Sequence, residues 1–362
     1  MSGPRIGLAF SGGGFRATCF GLGCLRALHD QGVLSRVAVI SGISGGSLIA
    51  AMYAYGPTAF DAFDDQVVSL LRRGIQWEII MRALQPDALA TNLLRSGRSL
   101  ATIRRRIPQL RSRNRTDALR ATLASGVFGR KTMNCVTHAG LEVVLSATDL
   151  ISMNAVRFGS TRSSCSAYGT IEEPIDVADA VAASAAFPLG LPAIERHYTF
   201  RQQSDSSTRT VPVLMTDGGV YDNLGLSVLE PGRSGGHTAH VYRVDYIIAC
   251  DAGQGPPALG FGHFAPFRLK RSFDIVHRRS QNAARARLYE AVSAGLLRGV
   301  VHPYLGMPDD KLPLPTTDLI PADRVRRYPT DFKAMLPENL AAISLRGEQL
   351  TRLLISHYCP EL

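Results

Sequence analysis

The chain has 362 residues, 45% hydrophobic and 19% charged, a composition that excludes a disordered or fibrous protein. Forty Lys+Arg against 30 Asp+Glu give a net charge of +10, and an excess of this sign points to nucleic acid, a membrane surface or an acidic substrate. The excess is local: residues 72–131 hold thirteen arginines and Lys131 against Glu78, Asp87 and Asp117, a net +11 beside a nearly neutral remainder.

In chain order, Arg5–Phe10 reads as a buried strand and Ser11–Gly14 as a glycine loop. A helix follows over about 15–29. Val37–Ile40 is a second strand, Gly42–Gly46 a sharp turn and Ser47–Tyr55 a helix closed by Gly56-Pro57. This alternation opens an α/β fold on a parallel sheet. Further strands are expected at Leu141–Ala147, Ala155–Phe158, Val211–Thr216 and Tyr246–Cys250, and helices at Val177–Ala186 and Phe273–Leu297. Gln202–Arg209 is polar and loop-like. With no repeat and no long linker, the chain reads as one domain, 1–362, carrying a basic helical insertion, or cap, at about 58–131.

The six cysteines form no C-x-x-C and no metal-ligand spacing with histidine, so a reduced interior, no metal and no cofactor are expected. MSGPRIGLAFSGGG lacks the apolar stretch of a secretion signal. The apolar run Val37–Tyr55 is broken by glycines and serines and reads as strand, turn and helix, not as a membrane span. A cytoplasmic location is expected, with peripheral membrane association and secretion by a signal-free route left open.

Two segments fit G-x-S-x-G, a turn in which a serine projects from between strand and helix: Gly42–Gly46 and Gly232–Gly236. Ser44 follows the apolar VAVI and precedes SLIAAMYAY, whereas Ser234 lies in the polar PGRSGGHTAH and reads as a surface turn. The N–H of Gly45, at the helix start, is suited to a developing oxyanion. The glycines of Gly12-Gly13-Gly14-Phe15-Arg16 leave N–H groups free to converge on an anion. Arg16 opposes the helix dipole there, which hints at a substrate phosphate or a structural carboxylate as its partner. A nucleotide loop fits less well, since the spacing is neither G-x-G-x-x-G nor that of a P-loop. Three aspartates stand at strand ends, Asp149, Asp217 and Asp251. Gly218-Gly219 singles out Asp217, and the other two read as turn caps. None of the histidines after these aspartates has a strand-end context.

Together these segments resemble the patatin-like phospholipases, including the cytosolic phospholipase A2 catalytic domain. Ser11–Ala17 is similar to the oxyanion motif G-G-G-x-R, with Ser11 as in the cytosolic phospholipase A2 version where many patatins carry Asp. Gly42–Gly46 is similar to the family's elbow, Asp217-Gly218-Gly219 to its D-G-G/A block, and Ala183–Pro188 to its A-S-x-x-x-P block. The tail segments YPTDFKAM and LRGEQLTRLL are similar to bacterial members. The resemblance implies a three-layer fold with a central, mostly parallel sheet flanked by helices. It also implies a Ser44–Asp217 dyad without histidine, an oxyanion hole from Gly12, Gly13, Gly14 and Gly45, and acyl-ester hydrolysis of membrane phospholipid through an acyl-enzyme.

In the insertion, bulky apolar residues such as Phe60, Phe63 and Trp77 alternate with Arg72, Arg73 and Arg82. Arg104, Arg105, Arg106, Arg111 and Arg113 follow. This mixture suits an anionic lipid interface as well as it suits a solvated helical cap. Nucleic acid is not expected as a partner, because no recognised module accompanies the arginines. Alternatives to a hydrolase are a transacylase using the same acyl-enzyme, a non-catalytic membrane-binding module, and an effector awaiting a protein activator of unknown identity.

Overall fold

The computed structural model describes residues 3–84, 114–188, 190–202, 205–255, 265–314 and 318–362. Its first half alternates strand and helix as the apolar runs require: β1 (Ile6–Phe10), α1 (Gly14–Asp30), β2 (Val37–Gly42) and α2 (Gly45–Tyr55). All five residues of β1 are buried. Ile6, Leu8 and Phe10 face one core and Ala9 the other, which is why the strand reads as continuously apolar. Helices α3 (Phe60–Arg73), α4 (Gln76–Ala83) and α5 (Arg115–Leu123), the last behind an Asn114–Asp117 capping box, fall within the basic segment 58–131. Phe63, Val67, Leu70 and Leu71 of α3 join the main core.

The strands β3 (Glu142–Asp149), β4 (Asn154–Gly159), β5 (Ser164–Cys165) and β6 (Gly169–Ile171) come next, then α6 (Val177–Ser184), β7 (Ile194–Arg201) and β8 (Thr208–Asp217). The chain closes with β9 (Tyr246–Cys250), α7 (Ala265–Ser293), β10 (Gly299–Val301) and α8 (Pro337–Tyr358). Among the described residues these strands form one sheet in the order β10-β9-β1-β2-β3-β4-β5-β6-β7-β8, with β8 returning to pair with β3. The five strands from β10 to β3 are parallel. From β3 to β8 every pairing is antiparallel and the strands close on themselves.

A mostly parallel sheet is therefore found in one half only. Links such as 150–153 and 166–168 are too short for the crossover that a parallel neighbour needs. On the parallel half, α1, α2 and α8 cover one face, while the C-terminal part of α7 (Ala284, Leu288, Ala291) and residues 224–229 cover the other. No helix among the described residues is long and apolar enough to cross a membrane.

Candidate active site

The sheet forks at β3, and the fork builds the site. On one edge of β3, β2 runs out at Gly42 opposite Leu145. Arriving from the other direction, β8 ends at Asp217 opposite Ala147. Ser146 lies between the two registers, so the chains leaving β2 and β8 turn outward within two residues of each other. Ser44 leaves through one turn and Asp217-Gly218-Gly219 through the other. The meeting point is at the C-terminal edge of the parallel strands, where open α/β sheets place their ligand sites.

Ser44 sits at φ 53°, ψ −120°, immediately before α2, a left-handed conformation costly for a residue with a side chain. The turn is held on both sides: Ile43 N–H donates to Phe10 O at 3.1 Å and Gly46 N–H to Ile43 O at 2.7 Å. Gly45 is required, because a Cβ there would overlap the Gly14 carbonyl. Ser184, the last residue of α6, supplies a further brace. Its Oγ accepts from Ser44 N–H at 2.9 Å, lies 2.7 Å from Ser47 Oγ and donates to Ser146 O at 2.7 Å. The A-S-x-x-x-P helix thus fastens the elbow to the fork through one hydroxyl.

Asp217 is 4% exposed and has the Ser44 side chain beside it. The Asp217 Oδ1 accepts from Gly219 N–H at 2.7 Å. The backbone around it is fixed by Asp217 N–H to Ala186 O (3.0 Å), Gly218 N–H to Ser184 O (3.1 Å) and Thr148 Oγ1 to Asp217 O (2.9 Å). Burial dominates and pushes the carboxyl up to about 6, with the Gly219 N–H bond and the neighbouring Ser44 hydroxyl holding it lower than burial alone would. Such a group is largely ionised at neutral pH yet basic enough to take a proton.

The glycine loop stands over this pair, with Gly13 at φ 148° and Gly14 at φ 56°. Helices α1 and α2 start side by side, tied by Thr18 Oγ1 to Gly45 O at 2.9 Å, so both N-termini point at one region. One expected member of the oxyanion set is engaged elsewhere: Gly12 N–H donates to Asn223 O at 3.0 Å. The N–H groups of Gly13, Gly14 and Gly45 remain as candidates. The Asn223 Oδ1 atom packs against both Gly12 and Gly219 and so joins the loop to the aspartate turn. Nothing in the sequence reading marks Asn223. Its signal is an Asn six residues after the Asp, inside a glycine-flanked turn.

Arg16 is 5% exposed and faces protein. Its Nε donates to Ala252 O at 2.9 Å, and Nη1 donates to Tyr328 O at 2.6 Å and Thr330 Oγ1 at 2.9 Å. The expected contact with a substrate phosphate gives way to a structural role, since these donors are used on Ala252 O and on a backbone oxygen and a hydroxyl of the tail. Burial lowers the guanidinium to about 10, with Asp251 the leading charge acting against that shift. Beside it, Phe15 N–H donates to Asp331 O at 2.9 Å.

Asp149 is a turn cap, accepting from Ile151, Ser152 and Leu214 N–H. Asp251 binds Arg285 and His302; burial acts to raise it, but the His302 hydrogen bond and the neighbouring charges outweigh burial and hold it at about 2. His240 pairs with Tyr242. Ser234 is exposed in a turn, with Gly236 N–H on its Oγ. Arg104, Arg105, Arg106, Arg111 and Arg113 lie outside the described residues.

A segment of 60 residues is 43% identical to a probable lysophospholipase 3 of Schizosaccharomyces pombe, covering 14% of this chain and 9% of that protein. The fold is similar to that of human GIVD cytosolic phospholipase A2, with a TM-score of 0.51 at 14% identity, over 97% of this chain and 57% of the human one. The same human protein in complex with methyl gamma-linolenyl fluorophosphonate and terbium chloride gives a TM-score of 0.52 at 13% identity, over the same shares of each chain. A family model described as patatin-like phospholipase matches residues 8–229, which include the glycine loop, the elbow, Ser184 and Asp217. The chain belongs to the patatin-like phospholipase family.

Proposed function

We propose that this chain is a serine hydrolase of lipid acyl esters, with Ser44 as nucleophile and Asp217 as its base. The observation that carries the reading is the buried, raised Asp217 carboxyl beside Ser44, which stands at a strained elbow between two helix N-termini. The Ser44 Oγ attacks the ester carbonyl while its proton passes to Asp217. The carbonyl oxygen takes the electron pair and is held by the N–H groups of Gly13, Gly14 and Gly45. Collapse of this intermediate breaks the ester C–O bond, and the leaving alcohol takes the proton from Asp217. Water, deprotonated in turn by Asp217, then releases the fatty acid from Ser44.

A membrane surface is the proposed source of substrate. Val220 and Tyr221 just after the dyad aspartate, Phe187 beside Ala186, and Phe273 and Val276 on α7 are all exposed. In sequence α7 carries seven Lys+Arg against two acids. A basic, partly apolar helix beside the catalytic turns supports contact with anionic lipid. The test of the chemistry is labelling by a fluorophosphonate probe together with fatty-acid release. Ser44→Ala and Asp217→Asn are expected to lose both, and Ser234→Ala to keep both. Labelling that survives Ser44→Ala but not Ser234→Ala overturns the assignment.

A further inference from the structure

Asn223 stands where the glycine loop meets the aspartate turn. The hydrogen bond between the two is made by its backbone, Asn223 O accepting from Gly12 N–H at 3.0 Å. Asp222 fixes the turn on either side, its Oδ1 accepting from Leu224 and Gly225 N–H at 3.1 Å each. The Asn223 side-chain amide is half-buried and, among the described residues, has no hydrogen-bond partner. A polar group left unpaired at the centre of a site is available to whatever enters it.

The amide oxygen lies close to both members of the dyad. A Cβ built on Gly12 would lie 2.5 Å from Asn223 Oδ1 and 3.4 Å from Ser44 Cβ. One built on Gly219 would lie 2.6 Å from the same oxygen and 3.0 Å from Asp217 Oδ1. Asn223 Oδ1 is therefore within about 6 Å of each, a span that one water covers with two hydrogen bonds of about 2.8 Å. Glycine at both positions keeps this space clear. Between the aspartate turn and α7 there is a cavity of about 150 Å³, lined by Gly219, Tyr221, Asn223, His277, Ser280 and Gln281 among others. Its polar wall suits water, and its volume is far above the roughly 10–15 Å³ that admit one molecule.

We infer, on the Ser44–Asp217 reading above, that the Asn223 amide oxygen holds the water that hydrolyses the acyl-enzyme. The water oxygen bonds to the acyl carbon as one of its protons passes to Asp217, while the other stays donated to Asn223 Oδ1. Collapse breaks the bond from the acyl carbon to Ser44 Oγ, which takes the proton back from Asp217. Two acceptors call for a nucleophile with two O–H groups. An alcohol has one, and would set its carbon chain against Asn223 Oδ1 and leave that oxygen unpaired. Asn223 thereby commits the acyl group to water over an alcohol acceptor. Acylation of Ser44, in which no water takes part, does not need it.

The test uses the full chain and a soluble p-nitrophenyl ester, with methanol as a competing acceptor. Asn223→Leu keeps the shape of the side chain without its acceptor, and Asn223→Ala removes both. In Asn223→Leu, fluorophosphonate labelling is expected to stay within about twofold of the parent while steady-state hydrolysis falls roughly tenfold, the worth of one hydrogen bond to the attacking water. Mass spectrometry is expected to find the acyl group accumulating on Ser44, and the ratio of methyl ester to free acid is expected to rise about tenfold. Asn223→Ala is expected to move the ratio in the same direction, and carries the comparison if Asn223→Leu does not fold. A ratio unchanged in the folded variant, or labelling and hydrolysis lost together, overturns the role of Asn223 and leaves the dyad standing. A parent whose Ser44 is neither labelled nor acylated overturns the dyad reading itself, and the role of Asn223 with it.

Discussion

Between about pH 4 and pH 6 the Asp217 carboxyl works in two directions at once. Folding raises its affinity for a proton, so the native state binds more protons than the unfolded chain in that window, and stability falls as pH rises through it. Above about pH 6 the group is the carboxylate that chemistry needs and is also a buried charge. Turnover of a soluble ester is expected to rise with pH through about 6. Asp217→Asn is expected to lose roughly 10²- to 10⁴-fold in kcat. The same variant should be more stable than the parent at pH 7.5, by up to about 3 kcal/mol in denaturant titrations, with the difference vanishing below pH 4. A parent profile flat from pH 5 to 8 would remove Asp217 from the base role. Ser184→Ala leaves the buried N–H of Ser44 without its acceptor, a loss of about 1–3 kcal/mol. We expect kcat to fall by more than tenfold with KM little changed, as an elbow loosened at its backbone predicts. Ser44, Asp217 and Ser184 all stand out in the sequence through their motifs. The bond from Ser44 N–H to Ser184 Oγ does not, because it exists only where α6, β2 and β3 meet.

Elements were legible in proportion to how their faces are buried. IGLAF and YIIAC lie in the middle of the parallel half, covered on both sides, and read as unbroken apolar runs. The strand β7 alternates Ile194, Tyr198 and Phe200 with charged and polar residues and spans only part of a closed antiparallel wall, so its pattern is weak. Strands of two or three residues, β5 and β10, carry almost no periodicity at all. The helix expected over 273–297 begins eight residues earlier, at Ala265, and its exposed Phe273, Ile275 and Val276 sit among arginines. Reversing two of these charges with Arg278→Glu/Arg279→Glu is expected to reduce hydrolysis of anionic vesicles by more than roughly tenfold while sparing a soluble short-chain ester. The same comparison with Arg104, Arg105, Arg106, Arg111 and Arg113 neutralised separates the two basic segments. Equal loss of both activities in either set would make that set structural.

For the molecule as a whole, the matched family segment ends at residue 229, but the contacts of its first helix do not. Helix α8 packs along α1, and its Arg346, fully buried, holds Leu305 O at 2.9 Å, Met307 O at 2.6 Å and Asp309 at 2.9 Å. The tail at 328–331 reaches Arg16 and the Phe15 N–H. A fragment ending at 229 is therefore expected to give no cooperative melting transition and no fluorophosphonate labelling. Arg16→Met should lower stability and labelling together, measured by melting and by probe incorporation. The tie between tail and glycine loop also gives the chain a means of being silenced by a protease. A cut anywhere between 229 and 328 that released the tail would disable Ser44 with every motif residue still in place.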